Sequence, residues 1–457
     1  METTIESQHQ INSFGWLKEI AIGLILLCII LIPFIYKLES NRFHGDENHF
    51  FRYTKYFKLF FIDKDLNHEL WKDPLAYDHP PVGKYVLGLS LFVFGYGDRI
   101  EELWNMNPWN FHKDYNWNVS QGALPPKDIL YVGRLTMAIL GGLTCFLIYW
   151  VGRTIFSIRV GIIAALLLAY NPLMLSCSKR AMFDAPLLFF MTINLMLIMF
   201  FYRSFLKGKY LRTFSFAALI GIDIALAAGT KPNGGLAGII FAMFCLLFAL
   251  IKIGRYRFSE GKRKGMIAKL TADKEVKIIL SSLMISGCIA ILVFVGINPT
   301  LYHRPLKGSM KMVKYRMSVV NAQQKNFGHA ITSLSQKFNL VIKRTLIEKS
   351  YVTLGKIFKF PIDLGLFLLG LIILLYTEVK YLLKNNKPSL KSIMIVWIFI
   401  TFAGIMAWIP LDWNRYYLPV VPCVVMMTGY GIDRMINKCW LIIKRHNPYP
   451  NQGSPVV

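Results

Sequence analysis

The chain has few acids and little charge of any kind. Asp and Glu number 26 against 52 Lys and Arg in 457 residues, and all charged side chains together make up 17%. Its seven cysteines (Cys28, Cys145, Cys177, Cys245, Cys288, Cys423, Cys439) are odd in number, lack any CxxC pair and sit mostly within apolar runs. That pattern argues against a disulfide framework and against a thiolate metal site. No glycine-rich phosphate loop, no dinucleotide fingerprint behind a strand and no clustered metal spacing is present, and no soluble cofactor is expected. No small-residue cleavage site follows the first apolar run, 16–36, which is therefore expected to remain as a helix and not to leave as a signal peptide.

What the chain has in abundance is apolar surface. Hydrophobic residues make up 54% and aromatic residues 14%, with a mean hydropathy of +0.43. A bilayer core of roughly 30 Å requires runs of about 20 apolar residues. After 16–36, such runs lie at 131–151, 160–175, 185–201, 214–228, 234–251, 278–297, 362–376, 393–409 and 418–436. The expected fold is an all-α integral membrane bundle with about ten transmembrane helices and amphipathic helices at its outer surface. The net charge of +26 sits mainly in short loops between these runs. There it acts as an orientation signal, and nucleic-acid binding is not expected.

The run 82–97 decides the topology, because counting it as a span inverts every later loop. Read as an amphipathic helix on the outer surface, it leaves the basic stretches 153–159, 203–212, 252–277 and 380–391 on one side, together with Lys444 and Arg445. The densest cluster, Gly261-Lys262-Arg263-Lys264, then faces the cytoplasm. The expected organisation is a cytoplasmic tail 1–15, a transmembrane domain 16–436 and a cytoplasmic tail 437–457. Outer loops run over 38–130 and 298–360, with outer turns at 176–184, 230–233 and 410–417. Acids outnumber bases in the first loop, whereas the second carries Arg304, Lys307, Lys311, Lys314 and Arg316 close together. An acidic pocket facing a basic collar suits a reaction of neutral hydroxyls with an anionic leaving group.

Four motifs stand in the outer segments: Asp46-Glu47 after the first run, Asp78-His79-Pro80-Pro81-Val82-Gly83-Lys84, Arg180 with Asp184 at a helix start, and Asn414-Arg415-Tyr416-Tyr417-Leu418-Pro419. This pattern resembles the dolichyl-phosphate-mannose protein mannosyltransferases and their bacterial relatives, including lipid A aminoarabinose transferase, which are C-type membrane glycosyltransferases. The resemblance runs from about Ile20 to Ile436 and is strongest in the first half. No extended soluble domain follows Ile436, which on sequence alone points away from the oligosaccharyltransferase branch. The resemblance implies a sugar donor carried on a polyprenyl phosphate, a protein, glycan or lipid acceptor, contact with membrane lipids, and no metal. The expected location is the cell (inner) membrane with the site on its outer face, or the endoplasmic reticulum membrane in a eukaryote.

By that resemblance Asp46 is the base for the acceptor hydroxyl, with Glu47 beside it and Asp184 orienting the sugar or assisting. The competing assignment for Asp46 and Glu47 is a helix cap. His79, Lys84, Arg180, Lys231 in Thr230-Lys231-Pro232-Asn233, Arg415 and Tyr416 are the candidate substrate-binding residues. Each also has a plainer role: a local turn for His79, snorkelling for Lys84, an i, i+4 pair with Asp184 for Arg180, an ordinary loop lysine for Lys231, and an aromatic interface belt around Arg415 and Tyr416. The implied reaction inverts the anomeric carbon. The rival class is a polytopic transporter or lipid flippase, which should carry ionisable groups near the midplane and matched interrupted helices in two halves.

Overall fold

The structure, a computed structural model, describes residues 13–260, 273–327, 330–348 and 361–446. The tail 1–12, the cluster Gly261-Lys262-Arg263-Lys264 and the tail 447–457 lie outside the described residues, so their expected cytoplasmic placement has no counterpart in it. Among the described residues there is no β-strand, only one antiparallel bridge between Ala330 and Leu411.

Each of the ten apolar runs is helical. Among the described residues seven helices are long and apolar enough to cross a membrane: Lys127–Ile155, Asp184–Leu206, Tyr210–Thr230, Pro232–Gly254, Lys274–Gly296, Ile362–Asn385 and Leu390–Trp408. An eighth span results if the pair Ile158–Ala169 and Pro172–Ser178, bent by 60°, counts as one. The described residues thus account for seven or eight of the ten expected spans by length and composition. The first run forms the helix Ser13–Ile35, apolar over Ala21–Ile35, and the last becomes Val421–His446, whose apolar start passes into a basic end.

Small residues set the closest helix crossings, as expected where lipid gives helices no hydrophobic reason to associate and close backbone packing must do it. The helix Ile362–Asn385 lies against Val421–His446. At their crossing a Cβ on Gly370 would strike the Met427 carbonyl, and one on Gly431 the Leu366 carbonyl.

Two breaks in helical regularity position the site. Asn171 accepts hydrogen bonds from the Leu173 and Met174 amides (3.0 and 3.2 Å), and Pro172 takes the first helical position. The chain therefore stops and restarts at a new angle, delivering 179–184 to the mouth of the bundle. The second break is at Pro80-Pro81, where Pro80 is extended and Pro81 opens the helix Pro81–Val93. At 13 residues, roughly 20 Å, that helix is too short to span. It is also not a surface helix over its length: Val82, Gly83, Lys84, Tyr85 and Leu87 are buried, and only its far end, with Leu89, Phe92 and Val93, is exposed.

Candidate active site

The helix Gly45–Arg52 begins with a reciprocal cap. His44 accepts the Asp46 amide on Nδ1 at 3.2 Å, and the His44 amide donates to Glu47 Oε2 at 2.9 Å. The neutral His44 ring thereby carries its proton on Nε2. Gly45 is required by close approach, since a Cβ there would press into the rings of Trp109 and Phe111. The cap turns the two adjacent acids in different directions.

Glu47 points inward and is fully buried. It accepts from Arg134 Nε (2.8 Å) and Nη2 (2.9 Å) and from the Ala181 amide (3.0 Å). It is not among the residues lining the cavity that Asp46 faces, and its contacts are structural ones. This salt bridge ties the segment 38–130 to the helix Lys127–Ile155 and to the turn before Asp184. The capping role weighed for both acids falls on Glu47.

Asp46 faces a cavity of about 310 Å³. Two further carboxylates, Asp78 and Asp184, line the same cavity, and each acid meets one cation. Asp46 pairs directly with Arg415, Asp184 with Lys231 at 2.6 Å and Asp78 with Arg316 at 3.4 Å. Burial alone would raise the Asp46 pKa, but the Arg415 guanidinium, backed by His44 and His49, holds it at about 2. Arg415 is itself raised, because Asp46, Tyr416 and Asp184 outweigh the burial that disfavours its charge. Asp78 is lowered against the effect of burial by His79, Arg316 and Lys84, and by a hydrogen bond from Tyr53 (3.2 Å). Burial lowers His79 to about 3, which keeps the ring neutral, and its Nδ1 has no hydrogen-bond partner. One Asp184 oxygen, Oδ2, and the Tyr416 hydroxyl are likewise buried without a partner.

Of the residues expected from sequence, the cavity gathers Asp46, His79, Asp184, Lys231, Arg415 and Tyr416. Lys84 is not among them. It is 1% exposed and lies beneath the cavity, donating to the Leu75 and Ala76 carbonyls (3.0 and 3.4 Å) with its ammonium 4.2 Å from the Tyr56 ring centre. Burial lowers its pKa to about 7. Its expected phosphate contact is replaced by a structural one, since the helix that carries it turns inward. Arg180 does not pair with Asp184, which Lys231 occupies; it lines a neighbouring, larger cavity. Asn118, in the glycosylation-type tripeptide Asn118-Val119-Ser120, is fully buried and donates to the Asn110 and Asp114 carbonyls (3.0 and 2.9 Å).

Sequence reasoning missed Asp78 as a member of the site, together with Arg316 and Gln323. A signal existed for the last two. Arg316, Val319 and Gln323 recur at helical spacing along Pro305–Phe327 and form one wall of the cavity.

Three acids matched by three cations, with neutral imidazoles and aromatic rings between them, can receive an anion by ion exchange while offering a carboxylate to a hydroxyl. The fold, a bundle of apolar helices whose connecting segments build this cavity, is similar to that of C-type membrane glycosyltransferases. Residues 75–300 match the family described as dolichyl-phosphate-mannose-protein mannosyltransferase.

Dolichyl-phosphate-mannose–protein mannosyltransferase 3 of Saccharomyces cerevisiae is 24% identical over 253 residues, 54% of this chain and 28% of that protein. The fold is similar to that of the oligosaccharyltransferase AglB from Archaeoglobus fulgidus, solved in complex with an inhibitory peptide and a dolichol-phosphate. The two share 16% identity with a TM-score of 0.52, over 96% of this chain and 53% of that one. ArnT from Cupriavidus metallidurans, in the apo state, is similar at 14% identity and a TM-score of 0.51, over 93% of this chain and 62% of that one. The chain thus spans less than a third of the yeast relative and about half of AglB.

Proposed function

We propose that this protein transfers a sugar from a polyprenyl-phosphate donor to an acceptor hydroxyl, with inversion, in the cavity around Asp46. The observation that carries this reading is the Asp46–Arg415 pair at the wall of a cavity that also holds Lys231 and Arg316. The donor phosphodiester is an anion. On binding it competes with the carboxylates for Arg415 and Lys231, and Asp46, relieved of its partner, regains basicity. The acceptor hydroxyl then gives its proton to Asp46 as its oxygen bonds to the anomeric carbon. The bond from that carbon to the phosphate oxygen breaks on the opposite face, and the polyprenyl phosphate leaves with the electron pair, held by the cations. This scheme needs no metal and no soluble cofactor. The dolichol-phosphate bound to AglB and the mannosyltransferase family match support a lipid-linked donor.

We place the cavity on the outer side of the membrane, at the cell membrane or the endoplasmic reticulum. Its walls come from the segments expected outside, 38–130, 298–360 and 410–417. The transporter or flippase reading is disfavoured because the charged cluster is built from inter-helix segments and helix ends and not from residues in mid-span. The test is transfer by purified protein from a panel of dolichyl- and undecaprenyl-phosphate sugars, with the product anomer assigned by NMR. Inverted product from one donor is expected; a retained configuration would exclude the single displacement.

A further inference from the structure

A second cavity, of about 1170 Å³, adjoins the first and shares Phe111 with it. His44 lines it, and His44 Nδ1 stands 3.8 Å from the Asp46 carboxylate. The two cavities therefore meet at the proposed base. Arg180, half-buried, lines the second one. Its Nε is buried without a hydrogen-bond partner, and among the described residues no carboxylate is recorded in an ion pair with it. A buried guanidinium nitrogen left unpaired is costly and calls for a partner.

The backbone around Arg180 is pinned. The Lys179 carbonyl accepts from Asn41 Nδ2 (2.9 Å), the Ala181 amide donates to Glu47 (3.0 Å) and the Arg180 carbonyl accepts from the Met182 amide (2.7 Å). The side chain thus springs from a fixed point, which lowers the cost of ordering it on a ligand. Arg42 lies on the same cavity. Three acids line it: Asp128 is engaged by Arg99 (2.8 Å), Asp114 caps the Trp117 amide (2.8 Å), and Glu39 is exposed at the rim, with no ion pair to Arg180.

The cavity sits where helices end. Arg42 follows the helix Ser13–Ile35, Tyr131 belongs to the first turns of Lys127–Ile155, and Arg180 precedes Asp184–Leu206. That is the level of lipid headgroups if these helices span the membrane. An unpaired arginine in a roomy cavity at that level, next to the proposed base, fits an anion carried by a lipid better than one on a soluble chain.

We propose that this second cavity binds the anionic headgroup of a membrane-anchored acceptor, with Arg180 taking its phosphate or carboxylate while the acceptor hydroxyl reaches Asp46. The assignment of the acceptor role rests on the transferase reading above; the headgroup site itself does not.

Native mass spectrometry of the full chain tests this, with phosphatidylglycerol as probe, diacylglycerol as its uncharged counterpart and undecaprenyl phosphate as ligand of the first cavity. The wild type should hold phosphatidylglycerol and undecaprenyl phosphate together and should not retain diacylglycerol. Arg180→Gln should lower phosphatidylglycerol affinity about tenfold or more and leave undecaprenyl phosphate bound, whereas Arg415→Gln should do the reverse. Arg42→Gln, at an exposed position on the rim of the same cavity, should weaken phosphatidylglycerol in the same sense if Arg180→Gln does not fold. Unchanged phosphatidylglycerol binding in these variants would overturn the proposal. So would its displacement by undecaprenyl phosphate, or stronger binding of a Glu-rich peptide in its place. If the wild type bound phosphatidylglycerol in this way but not undecaprenyl phosphate, the headgroup site would stand and the donor reading would fall.

Discussion

Glu47→Gln should damage the fold before it touches the chemistry. Glu47 accepts four hydrogen bonds, two from Arg134 and one each from the His44 and Ala181 amides, at 2.8–3.0 Å. The amide keeps the shape but loses the charge, and its nitrogen donates where the carboxylate oxygen accepted. Arg134 is then left as a buried cation without its counter-ion. Breaking a buried pair from one side costs about 3–5 kcal/mol, and the loss should appear in unfolding of detergent-solubilised protein followed by tryptophan fluorescence. Because the penalty comes from the orphaned partner, the double variant Glu47→Leu with Arg134→Leu should fall well short of the sum of the two single variants. A Glu47→Gln protein within about 1 kcal/mol of wild type, or strictly additive single variants, would refute the view that this pair anchors the first loop.

Lys84→Met should lower stability and leave polyprenyl-phosphate affinity unchanged, since the ammonium serves the Leu75 and Ala76 carbonyls below the cavity; weakened lipid binding in a folded Lys84→Met protein would contradict that. Lys231→Ala and Arg415→Ala should each weaken donor binding, at least one of them by more than about 1.5 kcal/mol, the scale of a charged hydrogen bond, as measured by donor titration. Acid should act in two stages. His79 has a folded pKa of about 3, depressed from an ordinary value of about 6.5, so the unfolded chain takes up its proton first and stability declines as pH falls from about 6.5 towards 3. Asp46, held at about 2, contributes stability that is complete above its ordinary value of about 4 and is lost as pH falls towards 2. His79→Gln should flatten the first stage and Arg415→Gln the second, read from denaturation midpoints across pH.

The fold was legible to the extent that span formation is a matter of run length. Each apolar run became a helix, and the errors lie where length and composition are ambiguous: the bend at Asn171-Pro172, and the basic end of Val421–His446. The site was legible where one motif carries both the residue and its direction, as with Asp46, whose neighbouring cap forces it outward. It was illegible where direction depends on packing. Lys84 stands in the same motif as His79, yet the helix that opens at Pro81 turns it into the protein. Arg316 meets Asp78 across a sequence separation of 238 residues, and no local pattern encodes that pairing. Arg180 and Asp184 have the spacing of a helical ion pair, but the helix begins only at Asp184, so the expected geometry never forms between them.

The central claim is that Asp46 accepts the acceptor's proton in a sugar transfer from polyprenyl phosphate. The most direct measurement is single-turnover transfer by Asp46→Asn, alongside donor binding to the same preparation. Loss of the proton acceptor with its shape retained should slow transfer by about 100-fold or more, with donor still bound because Arg415, Lys231 and Arg316 remain. Transfer at near wild-type rate by Asp46→Asn would contradict the assignment of the base.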